Sequence, residues 1–200
     1  MYKHVNVTRK HEKILSKFTN ALDILEQGDE EIFFNVINFL GCYVSALFKS
    51  QYSASDCCNT AETLENIFEI TNRDERVDYN NLENIFKLNS NRFYNFKIMG
   101  KNIPFHNFVV INYQKEWFLI QSFSGVCYLN VFQDKNIPLR ILQFIKNPNT
   151  QEYNNLFRTK LPENQMSNIE VILSYQQFDK LPVERLKYLL RNYINNSIKK

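Results

Sequence analysis

Side chains able to do nucleophilic or acid–base chemistry are few in this chain and unevenly spread. Of three histidines, His4 and His11 lie in a charged N-terminal stretch, and His106 alone is set in core-forming sequence, Phe105-His106-Asn107-Phe108-Val109-Val110. A second apolar run, Trp117 to Phe123, begins eleven residues after His106 and carries Gln121. The two runs read as a β-hairpin. Upstream, Ser55-Asp56-Cys57-Cys58 opens a helical pattern. Thiol, imidazole and polar amide in that chain order suggest a thiol enzyme: sulfur attacks a carbonyl, the imidazole takes its proton, and the amide holds the ring.

Spacing selects the residues within this set. A two-residue turn at Gln114-Lys115 pairs Tyr113 with Glu116 and therefore Phe108 with Gln121. His106 and Gln121 then become diagonal neighbours on one face, because side chains two apart share a face. A four-residue turn keeps that parity, and a three-residue turn without a bulge breaks it. Ala61, Leu64 and Phe68 form the apolar row of the upstream helix, and counting back four from Ala61 reaches Cys57. Cys58 heads the water-facing row Glu62, Glu65, Glu69, which leaves it as the fallback nucleophile. Ser55 or Asp56 can cap the helix. Its first-turn N–H groups can stabilise a sulfur anion or an oxyanion. Each of these residues also has a plain reading: His106 as a hydrogen-bonded structural histidine, Cys57 as a small buried hydrophobe, Gln121 as a strand polar residue, and Cys42 and Cys127 as packing residues.

The elements that must position these residues follow from periodicity. Ile14, Leu15, Phe18, Ala21, Leu22 and Leu25 recur at helical spacing, with Gly28 as a stop. Phe33, Val36, Ile37, Leu40, Val44 and Leu47 predict a second helix, a third runs from Ser55 or Asp56 to Phe68, and Tyr79 to Leu88 form a short fourth. Strands are expected over 93–98, 105–113, 117–123 and 127–132 as an antiparallel meander, with one more over 169–175. Residues 137–146 predict a helix, 148–168 read as loop, and Val183 to Tyr193 close the chain as an amphipathic helix after Pro182. Helices first and antiparallel strands second make the class α+β. The expected organisation is one domain over 1–200, with a helical part (1–50), a catalytic core (51–132) and a C-terminal strand with helices (133–200).

Bulk properties narrow the function. The 200 residues are 44% hydrophobic and 14% aromatic, which is globular rather than disordered. Four glycines cannot assemble a phosphate loop or dinucleotide fingerprint. A net charge of +3 with interleaved signs gives no nucleic-acid footprint. The strand aromatics read as core, with Trp117 packing on the hairpin or a helix. The apolar stretch 32–48 is interrupted by Asn35 and Asn38 and reads as a buried helix, not a membrane span. Without a signal-like start the four cysteines are expected as reduced thiols in the cytoplasm, and no spacing suits a metal. The asparagine, lysine, isoleucine and phenylalanine excess fits an AT-rich genome, as in a large DNA virus or an intracellular bacterium.

Cys57, His106 and Gln121, with the pair Asp56-Cys57, resemble the papain-like cysteine-protease superfamily in its broad sense, including NlpC/P60-type branches. The likeness covers residues 51–132; glutamine stands where Asn, Asp or His is commoner. It implies a papain-like arrangement, no cofactor, and a protein or peptide substrate. It also implies an oxyanion role for Gln51, six residues before Cys57. The expected activity is a cysteine-dependent hydrolase (peptidase, isopeptidase or amidase) with a Cys57-His106-Gln121 triad. Rival readings are an inactive scaffold or interaction protein of the same fold, a thiol acyltransferase or deamidase acting on a protein, and an unrelated helical adaptor.

Overall fold

A computed structural model describes residues 2–48, 57–88, 90–122, 129–164 and 166–198, with only the backbone given for residues 2–10, Cys42 and Ile198. Among the described residues, seven α-helices and six strands run in the order α1 (Tyr2–Gln27), α2 (Phe33–Leu40), α3 (Cys57–Phe68), β1 (Glu75–Arg76), α4 (Tyr79–Phe86), β2 (Arg92–Lys101), β3 (Ile103–Tyr113), β4 (Glu116–Ser122), β5 (Leu129–Gln133), α5 (Ile137–Lys146), α6 (Thr150–Phe157), β6 (Ser167–Gln177) and α7 (Val183–Ile198). The class is α+β, with N-terminal helices and a six-stranded antiparallel sheet. The chain divides into two compact units, one comprising Met1–Phe68, Ser122–Asn130 and Lys180–Lys200, the other Glu69–Gln121 and Val131–Asp179. No described helix is long and apolar enough to cross a membrane.

In the first unit the apolar stripe of α1 (Ile14, Phe18, Ala21, Leu25) is buried, as its spacing requires. Phe18 meets Tyr193 of α7 edge-on at 4.7 Å, and Arg191 pairs with Glu26 at 2.7 Å. The stripe expected to run unbroken to Leu47 is divided. The α-helix stops at Leu40, and Gly41 to Leu47 continue as a 3-10 helix. The cause is Gly41, whose φ of 59° lies where only glycine is comfortable. Lys17 stabilises the break: its Nζ donates to the Phe39 carbonyl at 2.6 Å and sits 5.1 Å from the rings of Phe39 and Tyr43. Val44 remains fully buried, since a 3-10 continuation still returns it to the apolar side.

The sheet has the strand order β1-β6-β2-β3-β4-β5. Strands β2 to β5 are the expected meander, although the fourth begins at Leu129 and the expected start near Cys127 lies outside the described residues. β6 takes its place on the far side of β2, pairing Phe96 with Leu173 and Tyr94 with Tyr175. One face of the central strands carries Tyr94, Phe96 and Ile98 of β2, His106, Phe108 and Val110 of β3, and Trp117, Leu119 and Gln121 of β4. Helices of the same unit cover it. Phe86 of α4 lies 5.6 Å from the rings of both Tyr94 and Trp117, and Phe157 of α6 lies 4.9 Å from Phe108.

The segment 148–168, read above as loop, contains the two-turn helix α6. Its interior is rich in asparagine, which weakens the propensity signal. Its capping signal is nevertheless complete: Asn149 at the N-cap accepts from the Glu152 N–H at 2.9 Å, and Tyr153, Leu156 and Phe157 follow at buried spacing.

The β3–β4 turn has two residues, with Tyr113 opposite Glu116 and Phe108 opposite Gln121. Gln114 and Lys115 take φ of 52° and 69°. This is the left-handed geometry that matches strand twist, and it costs a non-glycine residue about 1 kcal/mol. Lys115→Gly should therefore raise the urea midpoint slightly at an unchanged m-value, a gain of at most about 0.5 kcal/mol in stability once glycine's greater unfolded-state entropy is subtracted. An unchanged or lowered midpoint would contradict this account of the turn.

Candidate functional site

His106 and Gln121 are brought together by strand register alone. Ile98 faces His106 across β2–β3, Phe108 faces Gln121 across β3–β4, and the diagonal places the two polar side chains side by side. His106 Nε2 and Gln121 Oε1 are 3.1 Å apart. The other end of the amide is also engaged, for Gln121 Nε2 donates to the Phe157 carbonyl at 2.8 Å. That second bond fixes which way the amide points. Its oxygen must face the ring, so it accepts from Nε2–H, and in the neutral imidazole Nδ1 keeps the lone pair.

The surroundings are aromatic and dry. His106 is 2% exposed and Gln121 1%. Phe108 stacks beside the imidazole with centroids 5.7 Å apart, and Phe157 meets it edge-on at 4.8 Å. Burial penalises the charged ring and pulls its pKa from 6.5 down to about 4, against the smaller opposing pull of the Gln121 hydrogen bond. The imidazole is therefore neutral at physiological pH. It can accept a proton transiently but does not store one.

Cys57 is the first residue of α3, in the first unit. It is 8% exposed, and Thr60, Ala61 and Leu64 on its side of the helix are buried. Cys58 is half-buried, and Glu62 and Glu69 on its row are exposed, as the helical phase requires. Within that unit Thr60 shares a buried hydrogen bond with Ser122, Oγ1 to Oγ at 2.8 Å. The expected cap at Ser55 or Asp56, the oxyanion candidate Gln51 and Cys127 lie outside the described residues, and of Cys42 only the backbone is described. Trp117 packs against Phe86 and stacks on Tyr94, as core.

The Phe157 carbonyl belongs to α6, a helix that the periodicity of residues 148–168 does not announce. The pattern Asn149…Glu152 followed by Tyr153, Leu156 and Phe157 could have revealed that helix, but nothing in side-chain type marks a main-chain oxygen as part of a site.

No known protein family matches the chain, and no curated protein does. Among solved structures it is similar in outline to CHBP, a Cif homologue from Burkholderia pseudomallei, with 13% identity over 94% of this chain and 99% of that one and a TM-score of 0.44. A likeness at that level assigns no role to any residue here.

The depressed pKa of His106 has a thermodynamic consequence. Above pH 6.5 the imidazole is neutral both folded and unfolded, so it contributes no pH dependence. As pH falls from 6.5 toward 4 the unfolded chain binds a proton that the folded chain refuses, and stability drops. The loss saturates below the folded pKa, at a total on the order of 3 kcal/mol. Urea unfolding across that window should show a steeper decline for the natural chain than for His106→Phe, which has nothing to titrate there. Parallel curves would mean that the imidazole is not desolvated as described.

Proposed function

We propose that the chain is a cysteine-dependent enzyme acting on an amide of a protein, with Cys57 as nucleophile, His106 as base and Gln121 as the residue that orients the imidazole. The observation that carries the reading is the His106–Gln121 hydrogen bond, which leaves Nδ1 as the basic nitrogen. The Cys57 thiol proton passes to that nitrogen as sulfur adds to the carbonyl carbon. The tetrahedral adduct collapses, the C–N bond breaks, and the departing nitrogen takes the proton back. Water, or another nucleophile, then resolves the thioester. The cycle needs no cofactor. Gln51 and first-turn N–H groups of α3 are the proposed oxyanion donors.

The recessed position of His106 favours a side-chain carboxamide over a main-chain peptide bond. A peptide bond has chain on both sides and needs an open groove, whereas a carboxamide is terminal and enters on a narrow stem. Deamidation or acyl transfer at a protein side chain is therefore placed ahead of peptide cleavage. One observation favours a different reading: an imidazole 2% exposed beneath Phe157 also suits a purely structural role, in which case the chain is a non-catalytic interaction module.

A chloroacetamide probe separates the two. Selective labelling of Cys57, lost in His106→Ala, is the expected result. Even labelling of the accessible thiols, unaffected by His106→Ala, would leave the non-catalytic reading. With a panel of glutamine- and asparagine-rich proteins, activity should appear as released ammonia or amine incorporation rather than as new amino termini. Cys57→Ser should abolish it, and His106→Ala should lower it about 10²–10⁴-fold.

A further inference from the structure

The bond that fixes the Gln121 amide depends on where α6 ends. A helix leaves its last carbonyls without intrahelical partners, and the Phe157 carbonyl is one of these. It can reach Gln121 only if the chain leaves the helix immediately afterwards. Arg158 makes that exit with φ 51° and ψ 43°, a left-handed conformation unfavourable to a residue with a Cβ. Something must hold the exit in place.

Asn154 does so. Its main-chain carbonyl accepts from the Arg158 N–H and, at 3.2 Å, from the Thr159 N–H. Its side chain binds the departing segment three times: Oδ1 accepts from the Thr159 hydroxyl at 2.6 Å and from the Leu161 N–H at 2.9 Å, and Nδ2 donates to the Leu161 carbonyl at 3.0 Å. One carboxamide thus ties Asn154 to Leu161, seven positions further on, around the helix end. Asparagine suits this position because the two Leu161 bonds need an acceptor and a donor on one planar group, which neither aspartate nor alanine supplies.

We propose that Asn154 is a positioning residue for His106, acting through the Phe157 carbonyl and the Gln121 amide to select the ring tautomer protonated on Nε2. The catalytic importance of that selection rests on the function proposed above; the selection itself does not. With the Asn154 clamp in place, the Phe157 oxygen occupies the donor end of the amide, the amide oxygen faces the ring, and the proton stays on Nε2. Once the clamp is removed, the Phe157 oxygen moves, the amide can turn over, and its NH2 can then donate to Nε2, which sends the ring proton to Nδ1.

Long-range proton–nitrogen correlation spectra of the 15N-histidine-labelled full chain at neutral pH read this directly, because protonated and unprotonated ring nitrogens have well-separated shifts. His106 should show one protonated Nε2 and one unprotonated Nδ1. In Asn154→Ala the two shifts should move toward each other, as they should in Gln121→Ala. In Asn155→Ala, an exposed neighbour on the same helix, they should stay put. Should Asn154→Ala not fold, Asn154→Asp keeps both acceptor bonds, loses the donor bond to Leu161, and is expected to give a smaller movement of the same sign. A folded Asn154 variant with unchanged shifts overturns the proposal, as does a natural chain protonated on Nδ1. Chloroacetamide labelling of Cys57 in the same samples keeps the two ideas apart: a tautomer that follows Asn154 while Cys57 stays unreactive would reject the enzyme and retain the clamp.

Discussion

Gln121 sets a condition that its whole unit must satisfy. A carboxamide offers an acceptor and a donor at fixed separation on a rigid plane, and here both ends are buried. Leaving either end unmet would cost about 1–3 kcal/mol, a large share of the roughly 5–15 kcal/mol by which domains are stable. The acceptor end is met only if β3 and β4 pair in one register, since a slip of one residue turns every side chain to the other face. The donor end is met only if α6 terminates at Phe157. Two independent pieces of secondary structure are thereby tied to one side chain, and the imidazole between them has little freedom left.

The same sheet face shows what happens without such provision. Tyr94 is fully buried within the aromatic cluster of Phe86, Phe96, Trp117 and Tyr175, and its hydroxyl finds no partner among the described residues. Burial is the main force driving its pKa upward, partly offset by the charge of Arg92 and aided slightly by Tyr175. The ring is retained for its packing, and the hydroxyl is an uncompensated cost. His106 differs in kind. Apolar residues at both 106 and 121 would fill the space beside Phe108 and Phe157 with no polar group to satisfy, yet the two positions carry an imidazole and an amide that is itself served by a helix end. A core that only needed volume would not require that chain of partners.

Most of this was legible where the pattern is local. Strand alternation and a two-residue turn sufficed to bring His106 beside Gln121, because parity is arithmetic once the turn length is known. Helical phase likewise sufficed to send Cys57 inward and Cys58 outward. What escaped was set by context. Gly41 breaks an apolar stripe that continues on both sides of it, and only its φ reveals the break. The helix α6 hid in asparagine-rich sequence whose capping residues were outweighed by poor propensity. The placement of β6 beside β2 cannot be inferred from either strand alone, because strand order is decided by which edges remain open when the chain returns.

That return shapes how the sheet must be made. β2 carries Phe93, Tyr94 and Phe96 close together, and until β6, which begins beyond residue 166, pairs with it one of its edges has no partner. Loops of that length close slowly, and the strand would meanwhile offer a ready template to any second chain. Arg92 precedes these rings, and Asn95 and Lys97 are set among and after them, so charge or an amide breaks up the apolar sequence of the strand. Charged and amide side chains within such a strand make it a poorer template for a second chain than an unbroken apolar run would be.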